Sequence, residues 1–379
     1  MNSQPRILEL GSWHYCKDIY PDSTDTLWTS DRPIPGGRQN PKGFAVCTPW
    51  RFVRAMRDVR QGKYDLIVVY MPLRPAWHPR YWLRALLRQP TRPLAALSVF
   101  GVSWLRWFKL PVPVAVLDMN DAFIIGAHNF FLLDKATVAF KRELPVDRWH
   151  ILCHSAHPAL PTRRIRRNSR WNRRLAKIQP ISLPATLIST EALWQGEQPE
   201  KTSDVFFVGE VAENSWVRRV GLAELEALRV KGLRIDIPTE RLPHAEFLER
   251  LSKAWLAWSP SGYSWECYRT AEAAQCLTVP VLNYPTVERH APLRENEHVV
   301  LYDVTPGSLT SAIERALADK LRLRQMALAV RDHVRQHHLQ HAMVDYVIEE
   351  TLRCAQATRT NDNVLCTATA FGARPAKPS

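Results

Sequence analysis

The stretch WSPSGYSWECYRTAEAAQCLTVPVL (258–282) decides the fold. It begins at the end of an apolar run, Ala254 to Trp258, that reads as a buried strand. The run gives way to the small-residue loop Ser259-Pro260-Ser261-Gly262. The spacing then predicts a helix over Trp265 to Gln275 and a second strand over Val279 to Leu282. Neither strand alternates polar and apolar residues, as expected for parallel strands covered on both faces. Open α/β sheets bind ligands just beyond the carboxyl ends of such strands. Ser261 and Gly262 let a ligand approach the backbone, and the helix N-terminus offers free N–H groups and a positive dipole end, with Tyr268 a further candidate contact. Arg269 can grip a phosphate in bidentate fashion. Glu272, three residues later on the same helical face, can accept from ribose hydroxyls.

Working outward, the second half repeats this unit. DVFFV (204–208) is a strand closed by Gly209, and the helix after it carries Val217, Val220, Leu222, Leu225 and Leu228 on one face. Strands are expected over Leu233 to Ile237 and Val299 to Tyr302. Helices are expected over Pro243 to Lys253 and from Ser308, Lys320 and Gln340. The first half has its own series: strands over Arg6 to Leu10, Tyr64 to Tyr70 and Val112 to Leu117, with helices over Trp50 to Arg60 and Pro79 to Arg88. Two βα series predict an α/β protein of two Rossmann-like domains facing across a cleft, residues 1–190 and 191–354, with the last helices free to pack back on the first domain. Residues 355–379 lack periodicity and read as a disordered tail.

At 46% hydrophobic and 23% charged, the 379 residues exclude a mostly disordered chain. Fifty-one basic against 37 acidic residues give a net charge of +14, which favours anionic partners. No apolar run is long enough to span a bilayer. The N-terminus lacks a basic segment followed by an apolar one, so no signal peptide is expected. Seven scattered cysteines without a CxxC suit a reducing compartment better than a disulfide framework. A cytoplasmic protein is expected.

Arg269, two residues, Glu272-Ala273 and a proline-bearing strand resemble the C-terminal half of GT-B glycosyltransferases, closest to the spore-maturation-type and exostosin-like groups. DVFFVGE (204–210) with Ser215 and the pair Arg218-Arg219 is similar to the first strand, glycine loop and helix of that domain. HHLQHAMVDY (337–346), VLDMND (116–121) and FKREL (140–144) resemble further segments of the spore-type group. The resemblance covers roughly 110–150 and 200–352. It implies a metal-independent transferase moving a sugar from a nucleotide-sugar donor to a hydroxyl of a surface glycan or glycolipid. Gly209, Arg218, Arg219 and Arg269 would surround the departing diphosphate. For an inverting reaction, Asp121 is the first candidate base, with Asp118 and His14 behind it. Two departures leave stereochemistry and donor open. The position eight before Glu272 is Ser264, with Glu266 offset by two, and Gln275-Cys276-Leu277-Thr278 replaces the usual glycine before the late strand.

RRIRRNSRWNRR (163–174) holds seven arginines in twelve residues. It reads as a solvated loop or as a contact for an anionic acceptor, a membrane surface or nucleic acid. A transferase acting on modified bases in nucleic acid, or a non-catalytic nucleotide or glycan binder, are the alternatives. PRYWLRALLRQPTR (79–92) with Trp104, Arg106, Trp107, Phe108 and Lys109 suits peripheral membrane contact through residues 79–109; the competing reading is a helix packed on the sheet with arginines outward. His333, His337 and His341 are spaced by four as zinc ligands can be, but no carboxylate or cysteine completes a set, so no metal is expected.

Overall fold

The computed structural model describes residues 4–30, 42–88, 96–152, 169–189, 199–211 and 215–359. The chain forms two compact units, Met1–Ile181 with Val344–Ser379, and Ser182–Met343. The division therefore falls between 181 and 182, ahead of the expected 190, and the chain's end belongs with its beginning.

Among the described residues, the main sheet of the first unit holds seven parallel strands: β1 (Ile7–Gly11), β2 (Thr24–Trp28), β3 (Phe44–Val46), β4 (Leu66–Tyr70), β5 (Val114–Asp118), β6 (Val138–Lys141) and β7 (Ile178–Pro180). They lie in the order β3-β2-β1-β4-β5-β6-β7. The strand order reverses between β1 and β4, so the crevice for a ligand opens beyond the ends of these two strands. Their backbones run close: a Cβ added at Gly11 would lie 2.6 Å from Tyr70 Cβ. The short helix α1 (Tyr15–Ile19) follows β1, and α2 (Pro49–Arg60) follows β3. Thr48 Oγ1 accepts from Arg51 N at 3.4 Å, and Pro49 fills the first turn, where no N–H is needed. Phe52, Met56 and Val59 of α2 bury against Ile67, Val69 and Val116. The helices α3 (Pro79–Arg88), α4 (Phe130–Lys135) and α5 (Ser169–Ala176) complete the described helices before residue 181 that bear on the sites.

Polar side chains are buried in or beside several of these strands. Glu9 of β1 is fully buried and accepts from Cys16 N, Lys17 N, Thr26 Oγ1 and Tyr70 Oη. One carboxylate thus ties β1, α1, β2 and β4 together, and burial raises its pKa despite these donors.

The second unit holds β8 (Ser203–Phe206), β9 (Ile235–Asp236), β10 (Ala254–Trp258), β11 (Val279–Asn283) and β12 (Val300–Tyr302), parallel in the order β9-β8-β10-β11-β12. Here the order reverses between β8 and β10. The helices are α6 (Trp216–Val230), α7 (His244–Ser252), α8 (Tyr268–Gln275), α9 (Ser308–Leu317), α10 (Lys320–His337) and α11 (Gln340–Arg359). Gly221 of α6 lets the helix approach the sheet, since an added Cβ would lie 2.1 Å from Trp258 Cζ2. Trp258 is fully buried and donates through Nε1 to Tyr302 Oη at 3.1 Å.

Two expectations need correction. The helix after β10 begins at Tyr268, not Trp265, because Trp265 Nε1 donates to the Asn283 carbonyl at 3.2 Å and keeps the loop extended. The last helix runs to Arg359, past the expected end at 354; from Val344 it belongs to the first unit, where Tyr346 Oη donates to Pro180 O at 3.2 Å. Residues 360–379 lie outside the described residues. Cys354 is disulfide-bonded, while Cys16, Cys47, Cys267 and Cys276 carry free thiols. Among the described residues, no helix is long and apolar enough to cross a membrane.

Candidate anion site and candidate base

At the reversal point of the second sheet, the loop after β8 (Phe207–Val211) and the loop after β10 (Ser259–Cys267) lie side by side. Each carries a glycine against which a guanidinium rests. A Cβ at Gly209 would lie 2.9 Å from Arg269 Nη2, and one at Gly262 only 2.4 Å from Arg218 Nη2. Each arginine thus reaches from its own helix to the opposite loop. Arg218 Nη1 donates to the Glu210 carbonyl at 2.6 Å, and Arg269 lies over the Phe207 ring, 5.4 Å from its centroid.

The two guanidiniums are half-buried and close enough to repel. Burial lowers the Arg218 pKa, and Arg269 lowers it further. Among the described residues, neither meets a carboxylate within ion-pair distance. Arg218 Nε and Arg269 Nη1 are buried without a hydrogen-bond partner. Paired positive charge with unspent donors at a sheet's reversal point is a site built for an anion. Arg219, the other member of the expected pair, is exposed on α6.

The remaining expected residues frame this site. Ser261 N donates to Asn283 Oδ1 at 2.8 Å, which fixes the loop to the end of β11. Ser259 Oγ and Thr270 Oγ1 are 3.1 Å apart and join the loop to α8. Tyr268 opens α8 with an exposed ring. Glu272 is half-buried; desolvation raises its pKa, with His244 and Arg269 partly opposing. No ion pair joins it to Arg269, so the simple intrahelical salt bridge is not what holds this arginine. Glu266, the offset glutamate, is buried in an ion pair with Arg289 at 2.7 Å and also accepts from Leu183 N at 2.7 Å. It braces the loop from beneath. Asn283 and Phe207 went unnoticed in the sequence; an asparagine ending the apolar run VPVLN was the available signal.

The first unit sorts the three candidate bases. Asp118, at the end of β5, is sealed: its Oδ2 meets Lys141 Nζ at 2.8 Å and its Oδ1 accepts from Asn120 Nδ2 at 2.6 Å. Asp118 and Lys141 are register partners on β5 and β6, so VLDMND and FKREL interlock. Asp121 is half-exposed and paired with the buried Arg142. Both follow β5, away from the β1/β4 reversal point. His14 follows β1 at that point. Its Nδ1 lies 2.9 Å from Asp18 Oδ2, and this contact raises the imidazole pKa against the opposing effect of burial. The sequence signal was the spacing of four between His14 and Asp18.

Elsewhere, α10 ends at His337, so His341 falls on the next helix and the expected row of three histidines is broken. Among the described residues, no group of His, Cys, Asp and Glu could hold a metal ion. Of the arginine run, residues 163–168 lie outside the described residues. Arg170 Nη2 and Arg174 Nε reach Asp134 at 2.9 and 2.7 Å, and Arg174 lies over the Trp171 ring, 4.2 Å from its centroid. These two arginines are fasteners of α5 to α4.

No protein-family model and no curated protein matches the sequence. Solved structures match its fold. Sucrose-phosphate synthase from Thermosynechococcus elongatus is 12% identical, with a TM-score of 0.50 over 94% of this chain and 98% of that one. An alpha-glucosyltransferase in complex with UDP-glucose and DNA containing an abasic site is 12% identical, with a TM-score of 0.52 over 92% and 99%. A glycosyltransferase from Rickettsia africae is 10% identical, with a TM-score of 0.52 over 93% and 99%. The chain has the two Rossmann-like domains of the GT-B glycosyltransferase fold.

Proposed function

We propose that the chain is a glycosyltransferase whose second unit binds a nucleotide-sugar donor with its diphosphate between Arg218 and Arg269. The observation that carries this reading is the pair of guanidiniums at Gly209 and Gly262, each with one buried nitrogen that has no hydrogen-bond partner. A diphosphate brings two negative charges and enough acceptors to satisfy both, and the guanidiniums stabilise it further as it leaves. Glu272 suits the ribose hydroxyls.

In an inverting transfer, the acceptor hydroxyl attacks the anomeric carbon, the bond from that carbon to the diphosphate oxygen breaks, and the hydroxyl proton passes to a base. We assign that base to His14 through Nε2, with Asp18 holding Nδ1, in preference to the sealed Asp118 and the arginine-paired Asp121. The motif matches at 116–121, 140–144 and 204–210 support kinship with the spore-maturation-type group. A cytoplasmic enzyme acting on a hydroxyl of a surface glycan or glycolipid is the acceptor reading we favour. The second reading is a nucleic-acid acceptor, supported by the +14 charge and by the DNA-bound structure among the fold's neighbours.

The test is release of nucleoside diphosphate from a panel of nucleotide sugars, with and without EDTA. Slow release from one donor, retained in EDTA and lost in Arg269→Ala, is expected; no release from any donor contradicts the enzyme reading. For the second reading, DNA binding must weaken steeply with salt; absent or salt-independent binding removes it.

A further inference from the structure

From Leu66 to Leu117 the sequence contains no aspartate or glutamate, yet it carries six arginines and Lys109. Within this segment a small cluster forms from Ala76, Ala96 and Val99, with Leu86 of α3 and Phe100 packed against it. The cluster uses few of the segment's apolar side chains. Around it Leu73, Trp77, Leu83 and Leu87 are 66%, 56%, 50% and 72% exposed. On α3, Leu83 and Leu87 are one turn apart and share a face, while Leu86, the buried neighbour, lies to one side of it. Arg84, on the other side, is exposed, and so is Arg74 beside Leu73.

This geometry is costly in water. Exposed leucines one turn apart, a tryptophan, and cations with no acid among them are the features of a surface that meets an anionic apolar boundary. At ten residues α3 is far too short to span a bilayer but suits lying in its interface. Two neighbouring features fix the sign of the partner. A protein partner of ordinary composition would leave the arginines to be matched individually, whereas a sheet of phosphates matches them in any rotation, and the leucines and Trp77 require an apolar layer beneath those phosphates.

We propose that Leu73, Arg74, Trp77, Leu83, Arg84 and Leu87 form a peripheral docking surface for an anionic lipid bilayer. The arginines meet headgroup phosphates, and Trp77, Leu83 and Leu87 enter the acyl boundary. The inference is independent of catalysis: it holds whether or not the second unit transfers a sugar.

The test is co-sedimentation of the full chain with phosphatidylcholine vesicles, with and without phosphatidylglycerol. Binding is expected only to the anionic vesicles. L83Q/L87Q, whose side chains are exposed and whose change leaves the core intact, should abolish it while the variant melts as wild type does. R74Q/R84Q should weaken it roughly five-fold per arginine, and more at low salt. Failure of wild type to bind anionic vesicles overturns the proposal. So does vesicle binding that L83Q/L87Q leaves intact, which would mark a purely ionic contact. Sedimentation velocity supplies the third refutation: a dimer that L83Q/L87Q dissociates would make this surface a contact between copies of the chain. R269A, which should not transfer sugar, should still bind vesicles, so loss of activity and loss of docking are separable.

Discussion

Replacing Arg269 with alanine tests the anion site most sharply, because the free protein and the nucleotide complex should respond in opposite ways. In the free protein, Arg269 contributes its stacking on Phe207, 5.4 Å away, worth about 0.5–1 kcal/mol at such a site. Against this stand a buried Nη1 without a partner and repulsion from Arg218. The terms nearly cancel, so the melting free energy should change by no more than about 1 kcal/mol. In the complex, the same side chain makes charge-assisted hydrogen bonds worth about 1.5–3 kcal/mol. Calorimetric titration with UDP and GDP should therefore show roughly 10- to 100-fold weaker binding to Arg269→Ala. Arg269→Lys keeps the charge but not the fork, and should fall between the two. A residue that merely holds the fold together would show the reverse pattern, large destabilisation with affinity intact. Unchanged affinity in Arg269→Ala would refute the placement of the diphosphate.

Further outcomes follow from the same geometry. Gly262→Ala places a Cβ against Arg218 Nη2 and should displace the guanidinium, weakening nucleotide binding while urea denaturation stays close to wild type. Gly221→Ala has no such escape, since the clash is with the buried Trp258 ring, and should destabilise the chain by about 1–3 kcal/mol in the same assay. Asp118→Asn leaves Lys141 charged and buried without its partner, and should cost about 3–5 kcal/mol of stability, whereas Asp121→Asn, at an exposed position, should cost far less. Burial lowers the pKa of His290 to about 4, and lowers those of His298, His337 and His338, which crowd around His333. The folded chain holds these imidazoles neutral, while the unfolded chain protonates them near pH 6.5. Stability should thus be fully present above about pH 6.5 and fall toward pH 4, by about 1.4 kcal/mol per pH unit for each proton involved. Flat stability across that range would contradict it.

The parallel strands β4, β5, β10 and β11 were legible because each is a near-continuous apolar run. β2, β6 and β7 were not, because Thr24-Asp25-Thr26, Lys141 and Gln179 bring polar side chains into strands whose burial depends on partners distant in sequence, and β3 is only three residues long. Glu9 shows the same dependence: four donors from three elements make a buried carboxylate tolerable, and two of them, Thr26 and Tyr70, are distant in sequence. Arg269 was legible because loop, helix start and phosphate chemistry coincide in one stretch. Which of Arg218 and Arg219 turns inward was not, since one residue on a helix rotates a side chain by about 100° and the sequence does not show which face meets the loop. The proposed preference for His14 rests likewise on topology: Asp118 and Asp121 attract notice as acids after a strand, but the sheet reverses beside β1, where His14 stands.

The central claim is that the crevice beside β8 and β10 binds a nucleoside diphosphate through its phosphates. The direct measurement is a thermal-shift titration of the unmodified chain with nucleosides, nucleoside diphosphates and inorganic pyrophosphate. The account predicts stabilisation by one nucleoside diphosphate, about 2.7 kcal/mol at a hundred times its dissociation constant, a smaller shift with pyrophosphate at the same concentration, and none with the bare nucleoside. No shift with any diphosphate, or an equal shift with nucleoside alone, would contradict it.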